Sequence, residues 1–241
     1  MAEPPATTQP RGAAPEWDVL VATKFHVPRA GFVPRPRLLA RLAQGVDRGL
    51  TVVCTPAGFG KTTLLGDWAR RSRRPAAWLS LDAGDNDPAR FWRYVAAALE
   101  RARPGTCAPL AALLRGPQQP PLEAVVTALI NELMPGEREV ALLLDDYHLI
   151  DAPRVHDSVT FLLDRLPPGL RLMLATRADP PLPLARLRAR GQLAELRADD
   201  LRFTLEETAA FLAEATGLDL PPLLVATLQD QIGRASCRER V

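Results

Sequence analysis

From residue 50 onward, hydrophobic residues follow two patterns that alternate along the chain. Short apolar, β-prone runs alternate with segments in which apolar residues recur every three or four positions. This alternation is typical of parallel strands joined by crossover helices, and continuous runs such as VALLL indicate strands buried on both faces. We therefore expect an α/β fold with a mostly parallel five-stranded sheet flanked by helices. The predicted strands are TVVCT (51–55), AAWLSL (76–81), VALLLD (140–145), LRLMLAT (170–176) and QLAEL (192–196).

Helical periodicity marks the segments between the strands and the region after the last one. Beyond residue 196 only helical patterns remain, and Thr204 with Glu207 forms a capping box that opens a further helix. We therefore expect one domain over 21–203 and the start of a helical or winged-helix domain over 204–231. The predicted helices between the strands are KTTLLGDWARR (61–71), PARFWRYVAAALERA (88–102), LEAVVTALINELM (122–134) and VHDSVTFLLDRL (155–166).

The two ends of the chain are unlike the part between them. Residues 1–20 are rich in proline and lack the basic and apolar stretches of a secretory signal, which predicts a disordered N-terminal tail. Residues 232–241, IGRASCRERV, break the preceding helical pattern and match the in-frame translation of a widely used sequencing adapter. We therefore expect residues 232–241 to be non-native.

Composition and charge argue against several classes of protein. The 30 basic and 28 acidic residues give a net charge of +2, too weak a field to draw in nucleic acid or an anionic membrane. No apolar run approaches the roughly 20 residues that span a bilayer. The three cysteines are far apart and form no paired motif, which disfavours a disulfide framework and a zinc site. We therefore expect a cytoplasmic chain without membrane contact.

The segment TPAGFGKTT (55–63) nearly spells a phosphate-binding loop. Such a loop needs a strand, a tight turn through glycines and a helix whose first amides point at the phosphates, and this order is present. Thr55 replaces the usual first glycine, which weakens the match without removing its mechanism. Only two of the 30 basic residues are lysines, and one is Lys61, where a compact ammonium suits the β and γ phosphates. The candidate phosphate-binding residues are Thr55, Pro56, Ala57, Gly58, Phe59, Gly60, Lys61, Thr62 and Thr63.

Two acidic residues and one arginine complete the candidate site. The apolar run VALLLD ends at Asp145, which we expect to hold Mg²⁺ together with the Thr62 hydroxyl, mainly through water. Asp146 follows, where a carboxylate orients or deprotonates an attacking water. Arg177, just beyond the next strand, reaches the same edge of the sheet and is a candidate sensor of the γ-phosphate. Taken alone, the aspartates also fit an ordinary strand-ending turn, and Arg177 fits a solvated arginine.

Five stretches of the chain together resemble the nucleotide-binding part of MalT-like transcriptional activators, ATP-binding LuxR-type regulators of the STAND class. The resemblance implies a slowly hydrolysing switch that binds ATP or ADP with Mg²⁺ and whose ATP form self-associates and activates transcription. It implies an ATP-sensing role for Arg177, while Arg35 matches one residue of a Gly-Arg-Glu motif that helps hold adenine in STAND proteins. Family loops begin with Ser or Thr, which accounts for Thr55. The stretches are TKFHVPRAGFVPRPRLLARL (23–42), TPAGFGKTTLLGDWA (55–69), AWLSLDAGDNDPARFWRYV (77–95), LLLDDYHLI (142–150) and ATRADPPLPLARLRARGQLAELRADDLRFTLEE (175–207).

The other parts of this family are expected to be absent from the chain. The resemblance implies that a small-molecule or protein inducer acts through a separate sensor domain and that DNA binding belongs to a C-terminal helix-turn-helix. The rival from a different class is a metabolic P-loop kinase or ATPase acting on a small molecule, which would need an acceptor pocket and a lid, and no clear arginine-rich lid motif is found. A degenerate scaffold without hydrolysis is disfavoured by the intact Lys61 and Asp145.

Overall fold

A computed structural model describes residues 20–28, 33–107, 110, 113–114, 120–134 and 139–229. Nearly all of the predicted N-terminal tail and all of residues 232–241 lie outside the described residues. The described chain forms a five-stranded sheet in which every strand pairs with its neighbours in parallel. The strands are β1 Leu50–Cys54, β2 Ala76–Ser80, β3 Val140–Asp145, β4 Leu170–Thr176 and β5 Leu193–Arg197.

The order of the strands across the sheet is β2-β3-β4-β1-β5. The predicted α/β fold is confirmed, and its sheet is wholly rather than mostly parallel within the described residues. At the carboxyl end of β1, Cys54 lies opposite Thr176 of β4 and Arg197 of β5. β3 is separated from β1 by β4, so the strand that ends in Asp145 is one strand removed from the strand that enters the glycine-rich loop.

Helices cover both faces of the sheet, and each of the four helices predicted between the strands is present. Short 3₁₀ turns lie at Ala22–Phe25, Val46–Arg48, Ala83–Asn86 and Tyr147–Leu149. The last described helix covers residues 222–229. Besides these elements, the described residues form the α-helices α1 Pro36–Gly45, α2 Lys61–Arg71, α3 Pro88–Ala102, α4 Leu122–Leu133, α5 Pro153–Asp164, α6 Leu184–Ala189, α7 Ala198–Leu201 and α8 Leu205–Thr216.

Two hydrophobic layers hold the sheet between its helices. One layer joins strand residues such as Leu143 to α1 and α2, and the other joins residues such as Leu142 to α3, α4 and α5. Successive side chains of a strand point to opposite faces, so a strand covered on both sides needs an uninterrupted apolar run. β1 and β3 are buried at every position, so the residues at their carboxyl ends are held in place by the core.

The predicted domain boundary near residue 203 stays a prediction. Thr204 and Glu207 do form the expected reciprocal capping box at the start of α8. In the part of the chain that the structure describes, no helix is both long and apolar enough to cross a membrane.

Candidate functional site

The loop between β1 and α2 has the geometry that its glycines predict. Gly58 has φ 79° and Gly60 has φ 77°, both in the left-handed region that favours glycine. A Cβ added at either position would meet no heavy atom within 4 Å. The requirement for glycine there is therefore one of backbone conformation and not of space. Gly60 is also the N-cap of α2, so the helix begins directly at Lys61.

Thr55 replaces the usual first glycine of the loop without changing the backbone conformation that the loop needs. Its backbone N donates to the carbonyl of Thr176 at 3.2 Å, which extends the pairing of β1 with β4 by one residue. The residue is fully buried and is not among the described positions with positive φ. Because the backbone of residue 55 does not adopt a positive φ, glycine is not needed at this position.

Replacing Thr55 with glycine should therefore bring no gain in nucleotide affinity. We expect Thr55→Gly to lower the free energy of unfolding by about 1 kcal/mol, because glycine loses more backbone entropy on folding. The affinity for ATP should stay within about threefold of the wild type, as measured by calorimetry, because the phosphate-facing turn is unchanged. Thr55→Ser keeps a Cβ and serves as the matched control. A large rise in affinity in the glycine variant would contradict this account of position 55.

Lys61 is held inside the loop by backbone carbonyls. Its Nζ donates to the carbonyl oxygens of Thr55 and Pro56, at 2.8 Å in each case. Burial lowers the pKa of Lys61, and the positive charge of Arg177 lowers it further, while the carboxylates of the site act in the opposite direction. The ammonium therefore lies among hydrogen-bond acceptors at the start of α2, where a phosphate would also meet the first amides of the helix.

Thr62 and Asp145 meet across the gap between α2 and β3. The Thr62 hydroxyl donates to Asp145 Oδ1 at 3.1 Å, and the Asp145 side chain is almost completely buried. Burial raises the pKa of Asp145 to about 6, while the hydrogen bond from Thr62 lowers it. A carboxylate and a hydroxyl are hard oxygen donors of the kind that Mg²⁺ prefers, with phosphate oxygens and water completing the shell. The residues present therefore fit a magnesium site shared with a nucleotide.

The raised pKa of Asp145 predicts that its charge destabilises the chain when metal and nucleotide are withheld. An acid whose pKa rises from 3.8 to about 6 on folding is disfavoured in its charged form, so the penalty grows between those pH values and is complete above pH 6. Asp145→Asn should therefore raise the free energy of unfolding by up to about 3 kcal/mol at pH 8. Urea denaturation in EDTA at several pH values measures this gain, which should vanish near pH 4. Equal stabilities of variant and wild type at pH 8 would contradict it.

Asp146 has an unusual backbone conformation at the end of β3. Its φ of 56° lies in the left-handed region, and it is the one non-glycine residue with positive φ among those the structure describes. Its backbone N donates to Asp145 Oδ1 at 3.1 Å, and its own Oδ1 lies 3.8 Å from His148 Nδ1. Backbone strain of this kind is frequent at functional sites.

Arg177 stands beyond the end of β4 with its side chain exposed. It is close enough to lower the pKa of both Lys61 and His148 by charge repulsion, in addition to the larger effect of burial. The structure thus brings Lys61, Asp146 and Arg177 to one edge of the sheet, together with the Thr62 and Asp145 pair. Their roles in binding and hydrolysis stay predictions.

His148 also lies in this cluster, although it is not among the candidate site residues predicted from the sequence. Its Nδ1 is buried and lacks a hydrogen-bond partner within the described part of the chain. The sequence signal was its position two residues after Asp146, since a 3₁₀ turn returns residue 148 to the same edge.

Arg35 contacts the segment that leads into α8, and its predicted adenine contact stays a prediction. Its Nη2 donates to the carbonyl of Leu201 at 2.7 Å and of Arg202 at 3.0 Å, and it pairs with the Glu207 carboxylate at 3.1 Å. Its guanidinium also lies 4.5 Å from the centroid of the Phe203 ring. Arg35 therefore fastens the start of α1 to the segment that leads into α8, and an adenine contact would require it to exchange these partners.

The sheet order and the loop are those of the P-loop NTPase fold, and comparison with known proteins identifies the family within this fold class. The chain is 42% identical over 179 residues to the HTH-type transcriptional regulator MalT of Serratia proteamaculans and 38% identical over 179 residues to that of Klebsiella pneumoniae. Over these residues the chain is a MalT homologue, so the resemblance inferred from its motifs is confirmed. The match covers 74% of this chain and 20% of each regulator, so the chain spans about a fifth of their length. No protein-family model matches the chain.

Solved structures show the same fold at low sequence identity. A STAND protein with a tetratricopeptide repeat sensor from Pyrococcus horikoshii has a TM-score of 0.60 and 14% identity, covering 87% of this chain and 30% of that one. Cdc6p from Pyrobaculum aerophilum has a TM-score of 0.50 and 14% identity, covering 81% of this chain and 53% of that one. The fold is therefore shared with proteins of much lower sequence identity than the MalT regulators.

Proposed function

We propose that this chain is the ATP-binding switch of a MalT-like transcriptional regulator. The observation that carries the proposal is the meeting of Thr62 and Asp145 at 3.1 Å beside the loop that holds Lys61. A buried acid next to a helix-start hydroxyl and a lysine is the arrangement that a magnesium nucleotide requires. Homology to proteins named as transcriptional regulators, and a fold shared with a STAND ATPase, support the regulatory assignment.

In the proposed complex, the loop and the start of α2 bind the phosphates of the nucleotide. The first amides of α2 and the left-handed glycines supply donors, and Lys61 exchanges its carbonyl partners for oxygens of the β and γ phosphates. Thr62 and Asp145 would hold Mg²⁺, which when bound neutralises charge on the phosphates.

The proposed hydrolytic step uses Asp146 and Arg177. The Asp146 carboxylate orients a water molecule and accepts its proton as the water oxygen bonds to the γ-phosphorus and the bond from that phosphorus to ADP breaks. The Arg177 guanidinium stabilises the charge on the transferring phosphoryl group, which is released as inorganic phosphate. Slow turnover suits this arrangement, because a regulatory device depends on how long the triphosphate state persists.

The two nucleotide states are proposed to differ in self-association. Loss of the γ-phosphate removes the group that Lys61 and Arg177 both contact, so the arrangement tied together by ATP is released on hydrolysis. An inducer and DNA are proposed to act through parts of such a regulator other than the nucleotide-binding part, since the match covers 20% of the HTH-type regulators that the chain resembles.

Sedimentation velocity with MgATP and with MgADP tests the switch directly. We expect a larger sedimenting species with MgATP than with MgADP, and its decay should follow phosphate release. One inorganic phosphate should appear for each ATP consumed, without any added acceptor. Identical sedimentation in both nucleotides would contradict the switch, whereas transfer of phosphate to a small molecule would favour a kinase.

A further inference from the structure

The turn Ala83–Asn86, which follows β2, belongs to no part of the proposed nucleotide site. A group of paired charges centred on the buried Asp85 holds it in place: Lys24 Nζ contacts the carboxylates of Asp82 and Asp85, and Arg90 Nε donates to Asp85 Oδ1 at 3.2 Å. The Asp85 side chain is fully buried, and Asp82 and Asp85 form a reciprocal capping box. Because each of these charges is paired, the turn is anchored firmly to the edge of the sheet.

Asn86, the last residue of this turn, reaches across to the segment that follows β3. Its Nδ2 donates to the carbonyls of Ala83 at 3.1 Å and Leu149 at 2.9 Å. Its Oδ1 accepts from the backbone N of Asp151 and of Ala152, both at 2.8 Å. A side-chain amide has two donor hydrogens and an oxygen with two lone pairs, so this amide uses its full capacity. Three of its four partners lie more than 60 residues away in the chain.

The segment that Asn86 fastens is the one that carries Asp146. It begins with the left-handed backbone of Asp146, continues through the turn Tyr147–Leu149, and ends where α5 starts. A left-handed conformation at a non-glycine residue persists only when its surroundings hold it. The Tyr147 hydroxyl pairs with His156 Nδ1 at 3.1 Å and anchors the middle of the segment, while Asn86 anchors its end.

We propose that Asn86 is a positioning residue for ATP hydrolysis, acting through the segment 146–152 on the Asp146 carboxylate. The inference rests on the proposed function, since it assigns to Asn86 the task of holding the proposed base in place. Removing the amide takes its hydrogen-bond partner from two backbone N–H groups and one carbonyl of the segment 146–152, and from the carbonyl of Ala83, which frees the end of the segment to move. Hydrolysis suffers more than binding, because a base must be held within tight geometric limits while the phosphate loop is untouched.

Two variants of Asn86 and one control form the test. Asn86→Ala removes all four hydrogen bonds, whereas Asn86→Asp keeps an acceptor for the two amides and repels the Leu149 carbonyl. Asn131→Ala changes an exposed asparagine on α4 and is the matched control. In single-turnover hydrolysis we expect both Asn86 variants to be slower by about tenfold or more, with MgATP affinity within about threefold of wild type.

A double-mutant cycle separates positioning from a general loss of structure. In an Asp146→Asn background, Asn86→Ala should change hydrolysis by less than about twofold, because the residue on which it acts is already disabled. If the alanine variant does not fold, Asn86→Asp completes the same cycle. Normal hydrolysis in the Asn86 variants, or an equal loss in both backgrounds, would overturn the inference alone. A wild-type chain without hydrolysis would overturn it together with the proposed hydrolytic function.

Discussion

Lys61→Ala is expected to reduce the affinity for MgATP by about a hundredfold or more. The ammonium is the cation that the loop itself offers to the β and γ phosphates, and charge-assisted hydrogen bonds to such groups contribute about 1.5–3 kcal/mol each. Losing two of them corresponds to at least about two powers of ten in the dissociation constant. Isothermal titration calorimetry of the wild type and the variant measures the difference.

The control for this variant is Arg71→Ala, which removes a cation from the opposite end of the same helix. Arg71 is exposed, so its loss should leave affinity unchanged. Circular dichroism and urea denaturation check that Lys61→Ala is folded, since the variant also removes the hydrogen bonds from Nζ to the carbonyls of Thr55 and Pro56. A folded Lys61→Ala variant with wild-type affinity would refute the assignment of the loop.

The second large effect is expected from Asp146→Asn, which should slow hydrolysis by about a hundredfold while affinity stays within about threefold. Asparagine has nearly the same shape as aspartate, tolerates the left-handed region and cannot accept the proton of the attacking water. Single-turnover phosphate release and calorimetry measure the two quantities.

Asp157→Asn is the matched control for this substitution, since Asp157 is an exposed carboxylate on α5. It should hydrolyse ATP at the wild-type rate. If Asp146→Asn also released phosphate at the wild-type rate, another group would have to act on the water. A variant that lost binding as well would indicate that Asp146 helps to form the nucleotide site itself.

The strands and the loop were predictable because their signals are local. An uninterrupted apolar run such as that of β3 is typical of a strand buried on both faces of a sheet. The glycines at 58 and 60 predict a turn with positive φ, a backbone conformation that other residues adopt rarely. Boundaries shifted by about one residue, as at β1 and β5. The helix α1 was not among the predicted helices, although it buries Leu38 and Leu42 on one side.

The features that the sequence did not reveal depend on partners far along the chain. Arg35 binds carbonyls more than 160 residues away, and Asn86 binds a segment more than 60 residues away. Neither contact leaves a local pattern, because any exposed arginine or asparagine in a turn has the same appearance in the sequence. The left-handed backbone of Asp146 likewise cannot be predicted from the sequence, since the surrounding structure imposes it and the residue type does not.

The loop 55–63 is proposed to bind nucleotide phosphates together with magnesium, and every other proposed role depends on this binding. Calorimetric titration of the wild-type chain with ATP, first with Mg²⁺ and then with EDTA, tests it directly. We predict one binding site per chain in the presence of Mg²⁺ and a clear loss of affinity when the metal is chelated, since Thr62 and Asp145 then lose the ion that they share with the phosphates. A folded chain that binds no ATP under either condition would contradict the account.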